Sequence, residues 1–557
     1  MRSYQNIVFL GTIVSSTILS AQSSVEKEHI RPNFIFILTD DQYIGIMGHE
    51  GNSIIKTPNL DKLAKAGIRF TNAYVTSAIC TPSRASIFTG QYERKHGVSF
   101  KSGTSLDLET WSLTYPMLMR SAGYYTGYIG KNHTPIGDGG YESGVMEKSF
   151  DYWYGGHGHL GFYPKSSHAV FQQAGKNTQV EILEEGSLDF LSNEHKFDGA
   201  IRFIDQRPVD KPFCLSICFN LPHNAGTSTM EQKPSDDNIY KSLYRDIEMP
   251  LPPHYIAKAD IKTPKIPEEV LHYKDRQTSY DYVDTPEGVK ERYLRKLQAM
   301  TGIDRMVGEI IEALANQNLD NNTIIIFTSD HGKFMGQFGL GGKGLCYQVC
   351  THIPMIIYDP LSEYKDRGKV VNELVQTIDI APTMFSLAGM DIPETMQGVD
   401  LSPLLRGDIK PVRDYIFTEN LWSNHFGNPR VEAVQDKEWK YIRYYRNENL
   451  SYREKVKVAE EMGIPMHSLN AVYDSDMIVY RHYIESPLQK EPAVYEELFN
   501  LLNDPQETTN LINDPSNEFI LKRMKEAWWE MLNYARGEDP PGVLRYTEES
   551  RAGSFTK

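Results

Sequence analysis

Cysteine is scarce in this chain of 557 residues: only Cys80, Cys214, Cys218, Cys346 and Cys350 are present. Cys214 and Cys218 lie in an apolar run. On a strand, residues four apart are separated by about 13 Å, which excludes a mutual disulfide. Both pairs have the Cys-x₃-Cys spacing that zinc sites can use, but the extended, buried first pair cannot close on one ion; buried thiols are the expectation, with another cross-link left open. Long hydrophobic runs are missing beyond the N-terminus. Ile7 to Leu19 follows Arg2 and ends near Ser20-Ala21. It is too short and too rich in Ser and Thr to span a membrane. It reads as a secretory signal peptide over 1–21, cut near Ala21, and no integral membrane association is expected. Positive charge is in deficit, with 58 Lys and Arg against 73 Asp and Glu, a net charge of −15. That balance argues against a nucleic-acid partner and requires any anionic substrate to find a local cationic cluster. Internal repeats and low-complexity tracts are absent.

What is present is a strand–helix alternation. Phe34 to Leu38, Tyr124 to Ile129, Phe213 to Phe219 and Thr323 to Phe327 read as buried strands. Ser112 to Ser121 and Glu287 to Ala315 read as helices, the second with apolar residues at near-helical spacing from Tyr293 to Leu314. This predicts an α/β fold with a mostly parallel sheet sandwiched by helices. Residues 225–285 are rich in Pro, Asp, Lys and Tyr and read as long loops over a site entrance. From 412 the pattern changes to short antiparallel strands at Tyr415 to Thr418, Glu432 to Gln435 and Trp439 to Tyr445, followed by a helix over Phe519 to Asn533. A main domain over 30–411, a smaller C-terminal α+β domain over 412–535 and a loosely held tail over 536–557 are expected.

In open α/β sheets ligands bind beyond the carboxyl ends of the strands. Asp40-Asp41 and Asp330-His331 both follow apolar strands directly, offering three carboxylates and an imidazole, an oxygen-rich set suited to Ca²⁺ or Mg²⁺. The run Cys80-Thr81-Pro82-Ser83-Arg84 through Thr89-Gly90 reads as a helix start built to hold an anion. Thr81 is the expected N-cap, Pro82 the first helical residue and Gly90 the helix stop. That places Cys80 where free backbone N–H groups favour negative charge, with Arg84 one turn away.

The Cys-x-Pro-x-Arg run with its terminal Thr-Gly resembles the signature of the type I sulfatases, members of the alkaline-phosphatase-like superfamily. Arg31 to Gln42, Thr57 to Leu63, Gly123 to His133, Thr328 to Gly332 and Asn503 to Leu511 resemble further motifs of that family, in the same order. The resemblance implies an alkaline-phosphatase-like fold and hydrolysis of sulfate esters. It implies that Cys80 is oxidised to formylglycine by a formylglycine-generating or an anaerobic sulfatase-maturating enzyme. It favours Ca²⁺, with Mg²⁺ as the other candidate, held by Asp40, Asp41, position 80, Asp330 and His331. The imidazole, where Asn is the common alternative, leaves the ion's identity open. By the same resemblance, the hydrated aldehyde attacks sulfur near Arg84, and its second hydroxyl lets sulfate be expelled. Lys131 and Lys343 resemble the lysines that grip sulfate. His133 resembles the histidine that assists elimination, and His223 the one that protonates the leaving group.

His96 reads equally as a site-lining or a packing residue. Tyr152 to His159 reads as a loop that stacks on sugar rings or packs internally. Lys440 to Arg446 reads as a solvated strand face or, less favoured, a surface for a sulfated or carboxylated polysaccharide. Size and long loops are most similar to exported bacterial polysaccharide sulfatases, which makes a sulfated carbohydrate the expected substrate and the periplasm or the exterior the expected location. The alternatives are a phosphomonoester or phosphonate hydrolase of the same superfamily and an inactive glycan-binding homologue.

Overall fold

The computed structural model describes residues 31–100, 104–157, 199–223, 241–267, 270, 281–362, 368–408, 410–421, 429–445 and 486–538, with the backbone of 543–545. The signal-peptide segment, His159 and Arg446 lie outside the described residues. Eight strands form the main sheet: β1 Asn33–Thr39, β2 Ile68–Tyr74, β3 Tyr125–Asn132, β4 Tyr152–His157, β5 Phe213–Cys218, β6 Thr323–Ser329, β7 Met355–Tyr358 and β8 Val370–Gln376. Their spatial order is β8-β2-β7-β6-β1-β5-β3-β4. All pairings are parallel except those of β7, which runs antiparallel to both β2 and β6.

β1 lies near the middle, between β5 and β6, and every one of its residues is buried. Its side chains alternate between two cores, as the strand period of two requires. Phe34, Phe36 and Leu38 enter one hydrophobic cluster, and Ile35 and Ile37 enter the other. β6 splits in the same way, Ile324 and Ile326 on one face, Ile325 and Phe327 on the other. Each such side chain contributes about 1.5–3 kcal/mol on burial. Both faces being apolar explains why these strands read as continuous runs rather than alternating ones.

The helix α1, Cys80–Thr89, is buried along its whole length. It begins two residues earlier than the sequence predicts. Ile79, extended at φ −151°, is the capping residue in place of Thr81, and Cys80 is the first helical residue. The first helical bond runs from Ser83 N–H to the Ile79 carbonyl at 3.1 Å. Pro82 therefore sits within the first turn, where a missing N–H removes no helical bond. Gly90 ends the helix at φ 66°, as expected. The helix α2, Pro286–Asn316, is capped by the Thr285 side chain, which accepts from Gly288 N–H. Its buried stripe includes Leu297, Met300, Ile303, Val307, Ile310 and Leu314, and also Arg292 and Lys296.

The C-terminal region carries a separate antiparallel sheet in the order β9 Ile416–Asn420, β10 Arg430–Gln435, β11 Trp439–Tyr445, β12 Tyr495–Asn500. The helix α3, Glu518–Arg536, packs on it through Met524, Trp528 and Leu532. The tail is not wholly loose. Val543–Arg545 pairs antiparallel with Thr104–Leu106, so backbone hydrogen bonding ties it to the main domain. Among the described residues no helix is long and apolar enough to cross a membrane. All five cysteines are buried and form no disulfide.

Candidate active site

The turn after β1 and the turn after β6 are bound to each other. Asp330 N–H donates to the Thr39 carbonyl at 3.0 Å, and Asp41 N–H donates to Asp330 Oδ1 at 3.2 Å. Asp41 adopts a left-handed backbone at φ 60°, a conformation aspartate tolerates better than most residues. α1 enters the same turn: Ser83 Oγ donates to the Asp330 carbonyl at 2.5 Å. Strand placement thus brings Asp40, Asp41, Asp330 and His331 against the first turn of α1.

Cys80 lies at the centre. Its Sγ is 2.9 Å from Lys343 Nζ and 3.3 Å from His331 Nε2. Arg84 Nε donates to Asp330 Oδ2 at 2.9 Å, and another guanidinium nitrogen to Asp40 Oδ2 at 3.1 Å. Lys131 pairs with the same Asp40 oxygen. Lys343 reaches Asp41 Oδ1 at 2.8 Å. His223 Nε2 is 3.6 Å from Asp41 Oδ2. His133 is further out, with its ring edge-on to Phe100 at 5.9 Å and near Tyr141 at 6.1 Å.

Three cations at the site were not picked out by the sequence reading. Lys333 donates to Asp41 Oδ2 at 3.0 Å, and Lys296 donates to the Asp41 carbonyl at 2.7 Å. Arg292 donates to the His223 carbonyl and lies over the Tyr282 ring at 4.9 Å. Arg292 and Lys296 occupy the buried stripe of α2, four residues apart. Cations recurring among the apolar positions of this stripe are the cue that could have found these two.

Burial raises the carboxyl of Asp40, but Lys131, Arg84 and Lys343 outweigh it and hold the group well below the usual carboxylate range. Burial likewise opposes ionisation of Asp41, and His223, Lys333 and Lys343 overcome it. Burial raises the Cys80 thiol, yet Lys131 and Lys343 bring it down to about 6. Burial lowers His223, and it lowers His133 with help from Lys131 and Arg84. The site therefore holds anions and thiolate against a surplus of ammonium and guanidinium groups. That is the local cluster an anionic substrate needs against the net charge of −15.

The donor set can hold a divalent cation, and its mix of carboxylate, thiol and imidazole does not single out one ion. Asp40, Cys80, Asp330 and His331 each offer a ligand atom, all within 4.8 Å of one another, and Asp40, Asp41 and His223 form a second such group. Asp40 Oδ1 is buried with no hydrogen-bond partner, the state of an oxygen that a cation would satisfy.

A family model described as Sulfatase matches residues 32–390. The chain belongs to the sulfatase family. It is thus an enzyme of the sulfuric ester hydrolase class. A second model, N-sulphoglucosamine sulphohydrolase C-terminal, matches residues 336–463. Among similar proteins, an N-acetylglucosamine-6-O-sulfatase of Bacteroides thetaiotaomicron is 26% identical over 492 residues, covering 78% of this sulfatase and 82% of that protein. An ulvan-active sulfatase of Formosa agariphila is 26% identical over 552 residues, 97% of this chain and 87% of its own. A solved complex with the substrate D-glucosamine-2-N,6-O-disulfate aligns with a TM-score of 0.62 at 20% identity, over 92% of this chain and 99% of the other. A phosphonate monoester hydrolase of Agrobacterium radiobacter aligns at 0.64 and 20%, over 90% and 95%. These two likenesses establish the fold.

Two stretches left open by the sequence make internal packing contacts at their described residues. His96 accepts from Val98 N–H and contacts Ser86 Oγ at 3.1 Å, and burial lowers it to about 3. Trp153 stacks on Tyr128 at 5.1 Å. Lys440 is not on a solvated face: it is buried, at 2% exposure, and paired with Glu507. Arg443 lies over Trp528 at 4.1 Å, so this basic strand looks inward.

Proposed function

We propose that this enzyme hydrolyses sulfate esters of a sulfated carbohydrate, using formylglycine made from Cys80 beside a divalent cation, with Ca²⁺ the first candidate and Mg²⁺ the second. The observation that carries the reading is the convergence of Cys80 with Asp40, Asp41, Asp330, His331 and the cations Arg84, Lys131 and Lys343 in one buried site. The carbohydrate comes from the substrates named for the relatives.

Asp40, Asp41, Asp330 and His331 would hold the cation, which supplies charge compensation for the sulfate oxygens and polarisation of the attacking oxygen. Formylglycine at position 80 would supply the hydroxyl that attacks sulfur and the means to expel sulfate afterwards. Lys131, Lys343 and Arg84 neutralise the non-bridging oxygens and fix the ester for in-line attack. The sulfur–oxygen bond breaks, and His223, on which Asp41 favours a proton against the effect of burial, delivers that proton to the departing sugar oxygen. His133 holds the proton released at position 80. Phe100 and Tyr141 pack beside the His133 ring. Residues 1–21 act as the export signal, placing the enzyme in the periplasm or outside the cell; 30–411 form the catalytic domain and 412–535 a C-terminal subdomain.

Sulfate release from a panel of sulfated polysaccharides and their oligosaccharides tests the substrate class. It is read beside rates on nitrophenyl sulfate and nitrophenyl phosphate and the mass of the Cys80 peptide. Preference for the phosphate ester would favour a phosphomonoesterase, and activity with unmodified Cys80 would remove formylglycine from the account.

A further inference from the structure

Lys343 stands in the run Gly341-Gly342-Lys343-Gly344, between glycines at φ 69° and 89°. Left-handed glycines allow the tight turn but give the segment little stiffness of its own. Gly341–Gly342 pairs with Phe334–Met335 in a two-stranded ribbon. Yet Lys343 must place its Nζ at 2.9 Å from Cys80 Sγ and 2.8 Å from Asp41 Oδ1. The stiffness comes from elsewhere. Gly344 N–H donates to the Ala78 carbonyl at 2.9 Å, next to α1. The Gly344 carbonyl accepts from Asn420 Nδ2 on β9 at 3.0 Å. The Cys346 carbonyl accepts from Lys440 Nζ on β11 at 2.9 Å. The Tyr347 hydroxyl meets Glu497 on β12 at 2.8 Å. Gln348 N–H donates to Glu507 Oε2 at 2.7 Å, and the other Glu507 oxygen accepts from Lys440 at 2.8 Å.

Lys440 and Glu507 are each 2% exposed. An ion pair this dry carries a desolvation penalty and is weak evidence for stability by itself. Its distinctive feature is that both partners spend a further hydrogen bond on the backbone of residues 346–348. Glu507 does so from a left-handed backbone at φ 57°, an uncommon conformation for a glutamate. The pair is a bracket whose other jaw is the segment following Lys343.

We propose that the Lys440–Glu507 pair of the C-terminal region is a positioning device that fixes the reach of Lys343 into the active site, so that the antiparallel sheet takes part in catalysis without touching substrate. The inference rests on the reading that Lys343 grips the sulfate group. Small displacements of a binding group can cost about 10²-fold in rate.

The test is a double-mutant cycle on kcat/KM with nitrophenyl sulfate, with Tm followed in parallel. Lys440→Met should lower kcat/KM by about 10- to 100-fold and raise the inhibition constant of inorganic sulfate. Lys440→Arg should recover part of both. In a Lys343→Ala background, Lys440→Met should change kcat/KM less than about twofold, because the group it positions is gone. Equal losses in both backgrounds, or a lowered Tm with kcat/KM unchanged, would overturn the bracket. Glu507→Gln keeps one acceptor oxygen, which can serve Gln348 N–H, and removes the ion pair with Lys440. It should give a smaller loss with the same dependence on Lys343, and provides the cycle if the methionine variant does not fold. An unchanged kcat/KM in Lys343→Ala alone would instead remove Lys343 from sulfate binding, and the bracket with it.

Discussion

Two regions of this molecule bury charge, and they do it in opposite ways. Among the described residues of the C-terminal region, the buried acids have partners on both carboxylate oxygens. Glu419 accepts from Arg94 N–H and Nε at 2.8 and 3.0 Å. Glu432 takes Arg94, Tyr445 and Trp528. Glu497 takes the hydroxyls of Tyr347 and Tyr444, and Glu507 takes Lys440 and Gln348. At the ends of β1 and β6 the acids are crowded by cations, yet Asp40 Oδ1 has no partner. A satisfied network specifies one arrangement and resists change. An unsatisfied one in a dry site is held ready for a ligand. The contrast distinguishes a structural charge cluster from a reactive one where composition cannot.

The largest effect expected from breaking this contrast is metal removal. Chelation should bring turnover to background and added Ca²⁺ should restore it, with bound metal followed by elemental analysis; full activity in metal-free protein would contradict the assignment of the acids. Next comes His223→Ala. A sugar alkoxide needs a proton on leaving and a nitrophenolate does not, so loss on sugar sulfates should exceed loss on nitrophenyl sulfate by about 10²–10⁴-fold. Equal losses on the two substrates would take His223 out of the acid role.

On the saturated side the effects should fall on stability. Arg94→Met leaves Glu419 and Glu432 buried without their cation and should cost about 3–5 kcal/mol in denaturant unfolding, with KM unchanged in the folded fraction. A smaller effect is a pH slope. Burial raises the Glu93 carboxyl to about 8, with Glu419 adding to it. The folded protein thus keeps a proton that the unfolded chain releases from pH about 4.5 upward. This contribution to stability is full at low pH and is lost as pH rises through about 8. Glu93→Gln should flatten the fall by up to about 1.4 kcal/mol per pH unit; parallel profiles for variant and parent would show that Glu93 ionises normally.

The sequence was legible where function and fold write the same residues. Asp40-Asp41 and Asp330-His331 could be placed because apolar strands precede them, and Cys80 and Arg84 because they sit in a dense motif. The strands of β1, β5 and β6 were visible as doubly buried runs. β2 was not, because its residues Ile68–Tyr74 mix Arg69, Thr71 and Asn72 into a partly exposed pattern. β12 was missed because Glu496 and Glu497 lie within it, and their partners come from other elements. Lys296, Lys333 and Arg292 escaped for a related reason: a single cation has no spacing, and only the packed turn after β1 gives it a role. Lys440 was misassigned to solvent because a basic residue on a strand reads as exposed until its buried partner, 67 residues away, is in place.

The most direct test of the account is the sulfate-ester turnover of Cys80→Ser against the parent protein, both shown to be folded. Serine keeps one hydroxyl near Lys343 and His331 but cannot form the hydrated aldehyde that lets sulfate leave. The account predicts turnover near background in the serine variant and full turnover in the parent. A serine variant working at close to the parent rate would contradict it.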